Sequence, residues 1–200
     1  MTINQLYDQI YSDKSTKEPD KFLGIYEPNK NLVDATLINN DKELHNKVMR
    51  LTADYAHHLT MRENYKKALP NLNKAIELFQ TYPDFKDTDL FKLGFYETLL
   101  FDRAVANYYL KNLNEAKNDL KSLNTQFPEN DKYKTWLSAT QVYSMDNVVK
   151  TMTIIMASSV ISTALFDRQD IGVFYDIILY IGAVSIIIIV TLQIIKRIRK

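Results

Sequence analysis

The last quarter of the chain constrains everything before it. Val148–Phe166 is an apolar run with Lys150 as its one charged residue, and Ile171–Ile195 is a second run carrying only Asp176. Asp167-Arg168-Gln169-Asp170 separates the two, and Lys196-Arg197-Ile198-Arg199-Lys200 follows the second. An α-helix rises about 1.5 Å per residue, so roughly 20 apolar residues cross ~30 Å of hydrocarbon. Both runs are long enough, and the pattern predicts a transmembrane helical hairpin with a very short outer turn.

Averaged over the chain, the mean hydropathy of -0.26 hides this split. Residues 1–146 hold 19 Lys and Arg against 21 Asp and Glu, whereas residues 147–200 hold 6 against 3. The first part is therefore close to neutral and lacks the basic field that nucleic-acid binding needs. With no cysteine in the chain, disulfides, thiolate metal sites and cysteine nucleophiles are excluded. Four glycines and five prolines point to helices with short connections rather than a β-sandwich or barrel. Met1–Asp8 shows no basic stretch followed by an apolar core, so the C-terminal hairpin is expected to be the route to the membrane.

Three regions follow from the pattern. Residues 1–30 read as an N-terminal amphipathic helix and loop: Ile3, Leu6, Tyr7, Ile10 and Tyr11 form one helical stripe, and the polar stretch Ser12–Asp20 reads as a loop. Residues 31–146 read as an α-helical domain. A helix is predicted from about Asn31 to Asn64, with a break near Asn39-Asn40 and a cap at Asp41, and a second one ends before Pro83. A long helix over Leu90–Leu110, one over Glu115–Gln126 stopped by Pro128, and one over Asn130–Asp146 complete the domain. The last has no Pro or Gly between it and Val148, so it is expected to run on into the first apolar span. Residues 147–200 are the membrane hairpin, 148–166 and 171–195, with a basic tail.

Within the helical domain, Ala56 and Ala68 lie twelve residues apart, with Leu72 four further on and Pro83 beyond. Ala104, Ala116 and Leu120 repeat that spacing, with Pro128 beyond. At a close helix crossing, side chains larger than alanine push the axes apart. This arrangement resembles the tetratricopeptide repeat family, whose unit is two antiparallel helices with small residues at their crossing. The resemblance covers roughly residues 48–128 and implies protein–protein interaction without catalysis. Two departures stand against it. The alanine pairs are 48 residues apart where the family's period is about 34, and Arg103, Asn107 and Leu113 occupy positions where the family carries large apolar or aromatic residues. An unrelated helical bundle with alanines in its core is the alternative.

No catalytic set emerges. His57 and His58, adjacent on a helix, point about 100° apart and cannot readily share an ion, and neither they nor His45 sit in a metal-binding pattern. Gly-rich phosphate loops, nucleophile elbows and dinucleotide fingerprints are all missing from the sequence. Of the abundant tyrosines and the single tryptophan, Tyr65, Tyr96, Tyr108 and Trp136 are the candidate partner-binding residues, with burial in the core as the competing use. Asp176 is the ionisable group inside a span, shallow enough for hydration or for pairing with Arg168. Small residues, Ser158, Ser159, Ser162 and Thr163 on one run and Gly182, Ala183 and Ser185 on the other, suit close helix packing.

Lys196, Arg197, Arg199 and Lys200, with Lys150 near the first entrance, predict a cytoplasmic C-terminus. Two spans place the N-terminal domain on the same side, with a bacterial inner membrane as the expected site. The resulting expectation is an all-α, tetratricopeptide-like domain followed by a transmembrane hairpin, a membrane-anchored scaffold or adaptor with protein partners and no enzyme activity, cofactor, metal or nucleic-acid partner. Self-association through the membrane helices is left open. The competing reading is a membrane effector, pore-forming or immunity-type protein, whose hairpin oligomerises under control of the helical domain.

Overall fold

The computed structural model describes residues 1–12, 18–38, 41–166 and 168–198. The expected break at Asn39-Asn40, most of the Ser12–Asp20 loop, Asp167, Arg199 and Lys200 lie outside the described residues. All regular structure among the described residues is helical, and the chain divides into two compact units, Met1–Leu137 and Ser138–Lys200.

In the first unit, α1 (Ile3–Ser12), α2 (Pro19–Tyr26) and α3 (Lys30–Ala35) pack against α4 (Lys42–Met61). Helix α2 was not anticipated. Pro19 supplies a pre-set backbone angle at its start and Asp20 an acidic group in its first turn, and Phe22 and Tyr26 are buried. Asp41 caps α4, accepting from the Leu44 N–H at 3.0 Å.

From α4 the chain runs through two successive hairpins: α4 with α5 (Tyr65–Thr81), then α6 (Gly94–Tyr109) with α7 (Leu113–Gln126), α5 packing on α6 between them. Ala56, Ala68, Ala104 and Ala116 are all fully buried. The expected single helix over Leu90–Leu110 is instead a 3-10 turn, Leu90–Lys92, followed by extended backbone at Leu93 before α6 begins. The Asp89 side chain accepts from the Phe91 N–H at 3.2 Å, offering the backbone an alternative to a helical start.

The two hairpins turn in the same way. Arg62-Glu63-Asn64 joins α4 to α5 with Glu63 at φ 57°, and Leu110-Lys111-Asn112 joins α6 to α7 with Lys111 at φ 68°. In each, the N–H after the left-handed residue reaches back to the last helical turn: Asn64 to the Leu59 carbonyl and Asn112 to the Asn107 carbonyl, both at 2.9 Å. Glu63 and Lys111 are separated by the same 48 residues as the alanine pairs, so turn and crossing repeat together. The twelve residues between α5 and α6, Tyr82–Leu93, contribute much of the excess over a 34-residue period. Because a side chain disfavours the left-handed conformation, Glu63→Gly is expected to raise stability by about 0.5–1 kcal/mol in denaturant unfolding. No gain would mean that Glu63 makes an offsetting contact.

Helix α8 (Asp131–Leu165) contributes its first turns to this unit. Tyr133 is buried there and donates to Glu97, while its ring meets Phe101 and Phe127.

The second unit holds the rest of α8, a short α9 (Arg168–Ile171) and α10 (Val173–Ile198). By length and composition α8 and α10 are both able to cross a membrane, and only 6% and 11% of their apolar windows are buried, unlike the core helices of a globular protein. They approach closely at Gly182, where a Cβ would stand 3.2 Å from the Ser159 Cβ. Ser159 and Ser185 are buried, and their hydroxyls donate to the carbonyls of Ile155 and Ile181. Gly182→Leu is therefore expected to force the two helices apart. With Asp146→Cys and Lys196→Cys as the only thiols in the chain, a short bismaleimide should crosslink the parent several-fold more efficiently than the Gly182→Leu form. Equal crosslinking would show that the close approach is dispensable.

Candidate binding groove

Arg50, Asp54, His57 and Met61 lie on one face of α4, at the spacing of successive helical turns. Three hollows meet along this face. The first, of about 420 Å³, is bounded by Met49, Arg50, Asp54 and the rings of Phe79, Phe85 and Phe95. The second, of about 380 Å³, lies under α1 and α2 and is bounded by Tyr11, Phe22, Arg50, Asp54, His57, His58 and Met61. The third, of about 320 Å³, is bounded by Met61, Tyr65, Phe101, Asp102, Tyr109, Lys132 and Trp136. The first two share Arg50 and Asp54, and the last two share Met61, so the three border one another along α4, and together they are the candidate groove.

The polar floor of the groove is a set of paired groups. The Tyr11 hydroxyl donates to Asp54 Oδ2, and the Arg50 guanidinium lies 4.0 Å from the same carboxylate while resting 4.8 Å from the Tyr11 ring centroid. Burial pushes the Asp54 carboxyl up, against the pull of Tyr11 and Arg50, and burial beside Asp54 drives the Tyr11 phenol far up, so the phenol stays a donor. His57 Nδ1 lies 2.6 Å from Asp102 Oδ2. That hydrogen bond raises the His57 pKa, with burial opposing it.

His58 behaves in the opposite way. It is 8% exposed, its ring lies 4.6 Å from that of Phe22, and its Nδ1 has no partner among the described residues. Burial, reinforced by the neighbouring His57, lowers its pKa to about 4. Two adjacent histidines thus hold opposite tendencies because α4 turns one toward Asp102 and the other toward Phe22. Among the described residues no cluster of three His, Cys, Asp or Glu is arranged to hold a metal ion.

At the far end the groove is aromatic. Tyr65 and Tyr109 stack face to face, centroids 4.5 Å apart and planes within 2°. Trp136 meets Tyr108 edge-on at 5.4 Å and Phe101 at 5.8 Å. The structure thus brings three of the four sequence candidates, Tyr65, Tyr108 and Trp136, into one cluster. It places Tyr96 elsewhere, buried against Phe79 and Phe91 with its hydroxyl accepting from Gln80 at 3.2 Å. Phe101, Tyr109 and Lys132 complete the cluster; the sequence pattern assigns Tyr109 to the core or its edge and does not single out Phe101 or Lys132. For Phe101 and Tyr109 the signal was the aromatic spacing on α6, which core packing produces equally well, and for Lys132 on α8 there was none.

In the second unit, Arg168 donates to Asp176 Oδ2 at 3.0 Å, and Lys196 donates to Asp146 Oδ1 at 2.6 Å. Lys150 is exposed near the start of the apolar part of α8, and Arg197 lies in the last turn of α10, where a cation complements the helix dipole.

Fold and groove define an all-α protein that combines tightly packed helical hairpins with two long apolar C-terminal helices. Comparison with known protein families, with curated proteins and with solved structures finds no match in any of the three.

Proposed function

We propose that this chain is a membrane-anchored adaptor: a tetratricopeptide-like helical domain that binds a protein segment in its groove, held at the bilayer by its C-terminal hairpin. The observation that carries this reading is the repetition, at 48 residues, of both the alanine crossing and the left-handed turn. Such repetition builds stacked hairpins whose first helices share one exposed face, and here that face is lined by Arg50, Asp54, His57 and Met61 from α4, Asp102 and Tyr109 from α6 and Trp136 from α8.

In this reading the protein catalyses nothing, and its effect is to raise the concentration of a bound partner near the bilayer. The basic residues from Lys196 to the C-terminus favour a cytoplasmic C-terminus, and two spans put the helical domain on the same side of a bacterial inner membrane. The test is crosslinking in intact membranes followed by affinity capture of the full-length chain. A partner should be retained by the parent and lost from Tyr65→Ala/Trp136→Ala. Capture of the same proteins by both, or of none, would sink the adaptor reading.

A further inference from the structure

The aromatic end of the groove offers two phenol hydroxyls, which donate and accept, and one exposed cation. Tyr65 and Tyr109 border it with phenol hydroxyls, Tyr109 being 49% exposed, and Lys132 adds an exposed ammonium. Its one carboxylate, Asp102, is buried and engaged by His57. The Thr60 hydroxyl already donates to the Ala56 carbonyl at 3.0 Å. An ordinary extended peptide would bring a backbone N–H at every residue into a site whose exposed acceptors are phenol oxygens.

A proline-rich segment has the complementary chemistry. Each proline removes an N–H and leaves a carbonyl acceptor, and the polyproline II conformation is preformed, so little ordering entropy is lost on docking. Pyrrolidine rings pack on aromatic faces, which is how aromatic-lined grooves take such segments in general. The walls here are aromatic on several sides: the Tyr65–Tyr109 stack, Phe101 and Trp136.

Charge narrows the choice further. Lys132 Nζ stands 3.7 Å from the Phe101 ring centroid, and its charge also favours the ionised form of the buried Asp102 carboxyl, which His57 holds. At the other end of the groove, Arg50 rests on Tyr11 with Asp54 at 4.0 Å as its nearest carboxylate. Arg50 thus already has a carboxylate, whereas Lys132 is exposed and held against a ring, so an acidic residue of the occupant meets its partner at Lys132.

We infer that the groove docks an acidic, proline-rich segment of a partner protein, prolines against Tyr65, Tyr109 and Trp136 and an acidic side chain at Lys132. This rests on the adaptor reading and specifies the chemistry of its partner.

Trp136 is the only tryptophan in the chain and lines the site, so its emission reports occupancy directly. The experiment titrates the full-length chain in detergent micelles with acetyl-(Asp-Pro-Pro)3-amide, acetyl-(Asp-Ala-Ala)3-amide and acetyl-(Lys-Pro-Pro)3-amide. The first is expected to shift Trp136 emission saturably and to bind at least about five-fold more tightly than either other peptide, as loss of one ~1 kcal/mol contact implies. Lys132→Gln should erase the preference for the acidic peptide over the basic one, and Lys132→Glu should reverse it. Tyr65→Phe, which keeps the ring and removes the donor, should weaken the proline peptides while leaving the unfolding midpoint within a degree or two.

Equal binding of the alanine peptide removes the proline assignment, and equal binding of the lysine peptide removes the charge assignment. No emission change with any peptide overturns the inference as a whole. If membrane crosslinking still captures a groove-dependent partner in that case, the adaptor reading survives it.

Discussion

His58→Phe is expected to stabilise the helical domain by about 1–3 kcal/mol at neutral pH. The gain comes from removing a buried ring nitrogen that has no hydrogen-bond partner among the described residues, while phenylalanine keeps a flat ring against Phe22. The pH dependence has a definite sign. His58 titrates near 6.5 in the unfolded chain and near about 4 in the fold. Its contribution to stability is therefore complete above pH 6.5 and is lost as the pH falls through about 4. The full shift corresponds to roughly 3 kcal/mol, and hydration of the adjoining hollow reduces that to about 1–3. Asp54, Asp102 and His57 have raised values and respond in the opposite direction, losing their contributions as the pH rises. They are common to parent and variant, so the difference between the two isolates His58. Urea unfolding from pH 7 to pH 4 should show that difference widening with acidity. A constant difference would mean that His58 is not held neutral.

Tyr55→Ala should be the most damaging single substitution in the first unit. Tyr55 is fully buried and stacks on Tyr26 at 4.2 Å, and Tyr26 stacks on Phe22 at 5.5 Å. This column joins α2 to α4. Truncating a buried aromatic ring costs about 3–5 kcal/mol, a large share of the 5–15 that typically holds such a domain together. Tyr55→Phe should cost less than about 1 kcal/mol, because the hydroxyl's bond to Glu27 is long, 3.3 Å, and Glu27 and Lys67 keep each other at 2.5 Å without it. Chemical unfolding of the full chain in micelles compares the two. A loss below about 1 kcal/mol for Tyr55→Ala would show that α2 is held by other contacts, and protease cleavage within α2 would reveal whether it has come away.

What could be read from the sequence was what depends on neighbours along the chain. The apolar C-terminal runs needed only composition and length, and Asp41, Pro83 and Pro128 marked helix limits by local chemistry. The Arg168–Asp176 contact was foreseeable because eight residues across a tight turn bring the two together. The pairing of His57 with Asp102 was not, since 45 residues and a whole intervening helix separate them and neither lies in a motif. The same holds for Tyr11 and Asp54, 43 residues apart. Tyrosines posed a different difficulty. Tyr65 and Tyr96 have similar helical surroundings in the sequence, yet one borders the groove and the other fills the core, a distinction made by the packing of α5 on α6.

The two ion pairs of the second unit have a consequence for where the protein can reside. Asp176 and Lys196 close the two ends of an uncharged stretch of α10 and are twenty residues apart, about 30 Å along the helix. In the proposed anchor, a markedly thicker bilayer would draw Arg168–Asp176 or Asp146–Lys196 into hydrocarbon, and a thinner one would leave apolar turns in water. Either mismatch costs fractions of a kcal/mol per Å, enough to distribute a protein unequally among membranes. In such an anchor the charges at either end would serve as a ruler, favouring bilayers of matching thickness.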